Sequence, residues 1–470
     1  MSDRRVFRWA TTSARVLVGT VVAAASVVGV VTAISIPWPT LAREPVSIEA
    51  TPAPAASTVS CDGGLLVQAR DLDAAGAIEV AAVQTVTSGV LPGSPEPATA
   101  QLGAPDVASG LGPLAFTAEP GPTGRTDLAA SGSAVAAFDD LAGFAASVCR
   151  PPLMESWLVA GSGATGAADF VLLTNPGTVA ATVQLTVYGA SGPQVPPGGS
   201  ELVVAAGSQR VVSIAGLARG EESPVIRINS RGAPVQAAVQ SSIARVLEPG
   251  GVDQASAVVA PEVTQRILGI VVGDDDDASD GSPTLIRLLS ANADAQATVT
   301  VREVAESDDA AAPLTVPLVA GVPTELALEE LDPGVYSVDI TATEPVVAAA
   351  WHTTGFGAGA DFAWHTPSPE VGLPTLFAVP GGPAATMTVQ NSGDVEATVT
   401  VSRRDGSAIV EVTLLPGEST SFSLPRREVY LLDGRGAQLR AAVTMAGSDQ
   451  LAAFSVWPAD AAAPAVTVYP

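Results

Sequence analysis

His352 and His365 are the only histidines in the chain. Each directly follows a tryptophan, and Asp361 lies between them. A zinc site wants four ligands in tight tetrahedral geometry. This trio offers no further nitrogen or thiolate nearby, so it reads as strand-face residues beside packed tryptophans. Gly161 to Gly166 satisfies the pattern GxGxxG, but a dinucleotide site requires a strand, a turn and then a helix. The following stretch, Asp169 to Thr174, alternates as a strand, so the glycines belong to a turn. Asp274 to Asp277, with Asp280 and Gly281, gathers oxygens of the kind calcium uses. Ala278 breaks the EF-hand spacing, and a solvated acidic loop is the first reading, with weak cation binding as the other. No GxSxG elbow or Walker motif is present, and a Ser/His/Asp triad would have to recruit one of the two histidines. Trp351, Phe362 and Trp364 would form a glycan platform if their faces were exposed; otherwise they pack a core. The expectation is a non-enzymatic chain with no catalytic, cofactor-binding or metal residues.

Cys61 and Cys149 are the only cysteines. They lack CxxC spacing, so a structural disulfide is expected, and closing a loop of about 87 residues stabilises by roughly 4–5 kcal/mol on the chain-entropy model. Disulfides persist outside reducing compartments, which directs attention to the N-terminus. Residues 16–36 contain no charge. As a helix rising ~1.5 Å per residue they span ~31 Å, close to the ~30 Å hydrocarbon core. Arg4, Arg5, Arg8 and Arg15 precede the run, and Trp38 follows it at an interfacial position. Arginine excess places the N-terminus in the cytoplasm. A cleaved signal peptide is the rival reading, with Thr40-Leu41-Ala42 as its site, although its apolar region should be only ~7–15 residues. The expected order is a basic tip at 1–15, a transmembrane helix at 16–36 and a Pro/Ala/Ser/Thr linker at 37–56.

The remainder carries the period-2 alternation of strands, broken by Gly, Pro, Asn and Asp. It also repeats. Asn175-Pro176-Gly177 leads to Ala181-Thr182-Val183, Asn292-Ala293-Asp294 to Ala297-Thr298-Val299, and Asn391-Ser392-Gly393 to Ala397-Thr398-Val399. Gly207, Gly321 and Gly417 follow as turns. Ala237-Ala238, Ala348-Ala349 and Ala452-Ala453 follow as closing strands. Trp157 to Phe170 and Trp351 to Phe362 share a second pattern, Trp-x3-Gly-x-Gly-Ala ending in Ala-Asp-Phe, read as a glycine-tipped hairpin. These features predict an all-β chain of tandem immunoglobulin-like sandwiches, with a continuous β assembly or propeller as the alternative. The modules are expected at 153–258, 259–372 and 373–470, after a divergent N-terminal β domain at 57–152. Pro-containing junctions with no long flexible run predict restricted motion between them.

With 48 acidic residues, 22 basic residues that are all arginine, and a formal charge of −26, the chain is a poor partner for nucleic acid. Hydrophobic residues at 47% allow real cores, while aromatic residues at 4% leave few platforms for sugars. Paired carboxylates for glycoside hydrolysis remain open in so acidic a chain. Cys149-Arg150-Pro151-Pro152, Trp157 to Gly163, Leu172 to Gly177, and Ala181-Thr182-Val183 followed by Tyr188-Gly189 resemble the actinobacterial family labelled domain of unknown function 5719. The resemblance is most specific across 144–190 and carries no catalytic residues over. It implies a single-pass, envelope-facing protein. The expected role is a scaffold or protein-interaction array whose partner is the membrane and an envelope protein, or, alternatively, a cell-surface polysaccharide.

Overall fold

The computed structural model describes residues 3–35, 48–50, 56–68, 76–121, 126–245, 248–273, 284–304, 312–328, 331–372, 374–458 and 466–468. Trp38, the stretch Thr40 to Ala42, most of the linker and the acidic run Asp274 to Asp277 lie outside the described residues. The chain forms two compact units, one of residues 1–51 with 465–470 and one of residues 52–464.

In the first unit a single helix runs over Asp3–Ser35. Its stretch Ser13–Ile34 has a mean hydropathy of 2.3 and is long and apolar enough to cross a membrane, a property that a signal sequence shares. Val, Leu and Ile side chains stand exposed all along it. The hydroxyls of Thr20 and Ser26 donate to the carbonyls of Val16 and Val22 at 2.8 and 2.9 Å. Polar side chains on such a helix are thereby satisfied within it, as an apolar surrounding demands. Ile48–Ala50 pairs antiparallel with Val466–Val468 in the same unit.

Among its described residues the second unit is built of strands apart from one helical turn at Ile214–Leu217. Three stretches of it fold as sandwiches with one strand order. In the third, Thr375–Val379 pairs with Glu428–Asp433, which pairs with Ala397–Arg403, which pairs with Ala408–Leu414. The facing sheet runs Ser419–Leu424, Ala384–Asn391, Leu439–Gly447, Gln450–Ser455. In chain order, strand one pairs with six, six with three and three with four, while five pairs with two, two with seven and seven with eight. The sandwich beginning at Glu155–Leu158 and closing at Glu248–Ser256 repeats this order, with its fourth position divided between Gly192–Gln194 and Leu202–Val204. The middle sandwich repeats it again. There the sixth and seventh positions are one continuous strand, Gly334–Thr353, whose first half pairs with Glu262–Val272 and Ala295–Glu303 and whose second half pairs with Thr284–Ser290 and Phe362–His365. Alternation drives each sandwich: in Ala397–Arg403 the alternate residues Ala397, Val399 and Val401 are buried against Met387, Val389 and Val443 of the other sheet.

Residues 57–148 hold a reduced version. Ser57–Ser60, Leu114–Ala118 and Ala98–Gln101 make one sheet, and Thr85–Val90, Leu128–Ala137 and Ala142–Val148 make the other. A third small sheet, Leu65–Gln68, Ile78–Ala82 and Val107–Ser109, is added to them. Cys61 and Cys149 form a disulfide that joins the end of the first strand to the end of the last.

The repeat markers have unequal fates. Asn175 donates from Nδ2 to the carbonyls of Val179 and Val204 at 2.8 and 3.1 Å and accepts from the Gly177 amide at 3.0 Å. Asn391 does the same with Val395, Leu414 and Gly393 at 2.8, 3.0 and 3.0 Å. Each buried amide side chain thus ties the turn between strands two and three to strand four. Asn292 is not the third member. It is exposed, and the hydroxyl of Ser290 closes that turn by donating to the Ala293 carbonyl at 2.6 Å. Ala452-Ala453 also differs from expectation. It lies in an eighth strand, whereas Ala237-Ala238 and Ala348-Ala349 lie in seventh strands; their counterpart in the last sandwich is Ala441-Ala442. Of the two predicted hairpins, Trp351 to Phe362 is one, with Trp351 opposite Trp364. Trp157 and Phe170 sit in opposite sheets, so the intervening glycines carry the chain across the sandwich rather than around a hairpin.

Removing the disulfide with paired Cys61→Ser and Cys149→Ser changes should lower unfolding stability by roughly 3–5 kcal/mol, since a long loop is released in the unfolded chain. Urea denaturation of the oxidised parent and the double variant checks this; equal midpoints would show that the link contributes nothing.

Candidate functional site

The last strand of each module meets the others at one place. Ala142–Val148, Glu248–Ser256, Phe362–His365 and Gln450–Ser455 pack in a cycle, each against two of its neighbours. Their beginnings surround one cleft, lined by Ala142, Gly143, Pro249, Gly359, Ala360 and Gln450. Their ends open on a second cleft, lined among others by Val148, Ser256, Thr366 and Ser455. The four therefore run in the same direction.

One side chain joins them. The carboxylate of Asp361, fully buried, accepts from the Phe144 amide at 2.8 Å, the Val252 amide at 3.0 Å and the Leu451 amide at 3.1 Å. The amide of Phe362 adds a fourth bond. Four modules thus converge on two oxygens. Gly143 and Gly251 make the approach feasible. Both have positive φ, 141° and 110°, and a Cβ on either would stand 2.6–2.7 Å from Asp361 Oδ1. Burial pushes Asp361 up to about 7, against the pull of the four amides, which favour the anion.

Next to it, Asp253 Oδ2 accepts from the Trp364 amide at 2.8 Å while Oδ1 has no hydrogen-bond partner among the described residues. Burial, reinforced by the charge of Asp361, holds Asp253 well above the usual carboxylate range. A neutral acid fits that position. Asp169, the sequence twin of Asp361, serves one sandwich only: it accepts from the amides of Ser162 and Ser242 at 2.7 and 2.8 Å and from the Ser241 hydroxyl at 3.0 Å. Burial pushes it up to about 6.

The histidines belong to the same buried region. His352 Nδ1 and Thr284 Oγ1 are 2.9 Å apart. Burial, with the neighbouring His352, pushes His365 down to about 3, so its ring is neutral. Trp351, Phe362 and Trp364 are 7%, 0% and 5% exposed, which corrects the glycan-platform reading. A sugar needs an open ring face, and these rings fill the junction between the first and second sandwiches. Trp351 packs on Phe362 with centroids 5.9 Å apart, and the buried Arg287 guanidinium lies 4.6 Å above Trp364. Arg287 also donates to the carbonyls of Gly161 and Pro224 at 2.7 and 3.1 Å, bonding across the same junction.

Glutamines perform the corresponding task for the N-terminal domain. Gln240 donates to the Leu66 carbonyl and accepts from the Leu66 amide, both at 2.7 Å. Gln209 and Gln254 donate to the carbonyls of Asp62 and Gly63 at 2.9 and 3.1 Å, and Gln236 donates to Asp62 Oδ1 at 2.6 Å. None of these glutamines stood out in the sequence. Each occupies an alternate position of a strand, where a polar residue ordinarily means a solvated face.

Two arginines and a tryptophan border the cleft at the strand ends. Arg150 is 5% exposed, donates to the Ala257 carbonyl and lies 4.0 Å over the Trp457 ring. Arg440 donates to the Ser368 carbonyl, and burial lowers its pKa. In the chain Arg150 stands out only through the family resemblance, and nothing in the order of residues marks Trp457 or Arg440. The ends of four distant strands bring them together.

Geometry of this kind defines an all-β, multi-module protein whose modules are fused about a buried carboxylate. The family model of DUF5719, a family of unknown function, matches residues 104–425, and the chain belongs to that family. No curated protein matches it.

Two aspartates side by side should respond oppositely to amidation. Asp361→Asn turns an amide donor toward a backbone amide and should lower stability by about 3 kcal/mol at pH 8. Asp253→Asn mimics the neutral acid and should be neutral at pH 5 and stabilising at pH 8. The parent itself should lose stability as pH rises from about 4 through about 7, because Asp361, Asp253, Asp169 and Asp62 all hold their protons more tightly folded than unfolded. His365, whose folded value is depressed, opposes this and loses stability as pH falls below its unfolded value. Thermal melts of the three proteins from pH 5 to pH 8 read all of these slopes.

Proposed function

We propose that this chain is a non-enzymatic, single-pass membrane-anchored protein whose β modules face the extracytoplasmic side of a cell envelope and act there as a scaffold or interaction platform. The observation that carries the reading is the convergence of four modules on Asp361, which makes one stiff body of segments that tandem repeats usually leave free to pivot. A stiff body presents surfaces at fixed separations, which suits assembly of partners. The apolar helix supports anchorage, and the arginines before it support a cytoplasmic N-terminus. The disulfide supports an oxidising location. The buried Asp361 and Asp253 of the centre bond backbone amides of other modules, so these strongly shifted carboxyl groups serve architecture.

Two measurements test this. After alkaline extraction, the full chain should stay with the membrane, and protease added to intact spheroplasts should degrade the region after residue 52. Release by alkali or full protection would refute the placement. In-cell cross-linking should trap a constant protein neighbour, and that neighbour should be lost on Asp361→Ala, which frees the modules from one another.

A further inference from the structure

The first sandwich departs from the shared strand order in its fourth strand. In the third sandwich that strand is one segment, Ala408–Leu414, and Thr400 lies opposite its Glu411. In the first sandwich it is divided, and Gln184 to Thr186 of the strand Ala181–Gly189 have no partner strand on that side. The Leu185 amide bonds instead to the Gly199 carbonyl at 2.6 Å, in the loop that joins the two pieces. Glu201 ends that loop with φ at 53°, the left-handed region that disfavours any residue with a Cβ. Departures of this kind collect at functional sites.

The division leaves a groove of about 350 Å³ on the outer face of the sheet, within the range of small-ligand sites. Alternation decides what faces it. Val183 and Leu185 are fully buried in the sandwich, so Thr182 and Gln184 point outward. On the neighbouring strand Arg231 lies opposite Thr182, and Asn229 lies opposite Gln184. Asn229 is held in place, its amide donating to Glu155 Oε2 at 3.3 Å and accepting from Arg227 Nε at 3.1 Å. Glu201, next to the residue paired with Val183, flanks the groove on the other side. Among the described residues, the side chains of Thr182, Gln184, Glu201 and Arg231 form no hydrogen bond or ion pair, which leaves their polar atoms open to a ligand.

The chemistry of this lining selects its ligand. Hydroxyl and amide groups each donate and accept, so they match a molecule whose own groups do both. Arg231 and Glu201 oppose each other in charge, and the chain as a whole, at −26, repels anions. No aromatic ring lines the groove, and its one apolar residue, Val183, turns its side chain into the core. An apolar side chain of a peptide would therefore find no cavity here. We propose that this groove binds a neutral sugar unit through its hydroxyls, with Gln184 and Thr182 on its floor and Arg231 and Glu201 at its edges. The planar amide of Gln184 and the guanidinium of Arg231 suit a two-point contact with adjacent hydroxyls. The site rests neither on the scaffold reading nor on the membrane placement.

Saturation-transfer NMR of the full chain, in a detergent without a sugar head group, tests this with glucose, mannose and N-acetylglucosamine. Glycerol and tetra-alanine serve as controls. Saturable millimolar binding of at least one of the sugars, with none of either control, is the expected result. Gln184→Ala removes a half-exposed side chain that bonds nothing in the protein, so it should weaken binding at least tenfold at an unchanged melting temperature. Thr400→Ala, at the matching position of the third sandwich, should leave affinity unaltered. Glu201→Gly should weaken binding without lowering the melting temperature, because its backbone conformation favours glycine. Absence of saturable transfer from all three sugars, equal transfer from glycerol, or unaltered affinity in Gln184→Ala would overturn the assignment. Preferential binding of tetra-alanine would overturn it too and give the groove to peptide.

Discussion

The second unit depends on a carboxylate that has been taken out of water and given four amides in exchange. Asp361 is buried, and each of its neighbours in the cycle of closing strands contributes one N–H. A buried charge is tolerated only where hydrogen bonds replace its hydration. Here three of the four bonds are not local. They come from residues 90 to 217 positions away in the chain, so the charge is satisfied only when all modules have docked. The desolvation of one group is thus coupled to the assembly of the whole unit. A partly docked unit would leave an unsatisfied anion, or force it to take up a proton.

Around this centre the interfaces divide the work by chemistry. Aromatic and aliphatic residues fill the junction between the first and second sandwiches, with Arg287 bonded across it. A row of glutamines reads backbone groups of the N-terminal domain. Between the N-terminal domain and the third sandwich, Ala129, Leu376, Ala378 and Val429 cluster, and the Ser131 hydroxyl donates to the Ala378 carbonyl at 2.9 Å. Between the second and third sandwiches the Thr444 hydroxyl reaches the Gly269 carbonyl. Small side chains predominate at the strands that meet, which lets backbones approach closely enough for side chain to backbone bonds. The Ala- and Gly-rich composition, ordinary in a loop, has here a packing role.

The same geometry explains why chemistry collects at the strand ends. Four parallel-running strands must diverge where they leave the centre, and the residues just beyond them, Arg150, Val258, Pro367 and Trp457, rim the opening that results. The Ala257 carbonyl, the Trp457 face and the attraction of the Asp62 carboxylate hold Arg150 in place. Nothing about Arg150 in the chain marks it as buried; it stands two residues after Val148, just past the end of a strand, where arginine is ordinarily solvated.

Much of the architecture was legible from residue order. Alternating Ala-Thr-Val-Thr-Val runs specify strands because only period two places their apolar side chains on one face. Gly207, Gly321 and Gly417 mark equivalent turns because each takes a positive φ. The two cysteines could pair only with each other. The apolar run near the N-terminus is long enough to span a bilayer whatever surrounds it. What the order of residues could not decide was which faces are covered. Trp351, Phe362 and Trp364 look the same in sequence whether they stack on sugar or fill a junction, and only the docking of the first sandwich buries them. Asn292 imitates Asn175 and Asn391 in letters but stands one position closer to its strand, which turns its side chain to solvent. Asp361 and Asp169 share one motif, yet one joins four modules and the other serves its own, because the partners of each are set by strands far away in the chain. Local pattern determines the strands; the burial of a charge, a ring or an arginine is a property of the docked whole, since desolvation requires neighbours that sequence distance does not reveal.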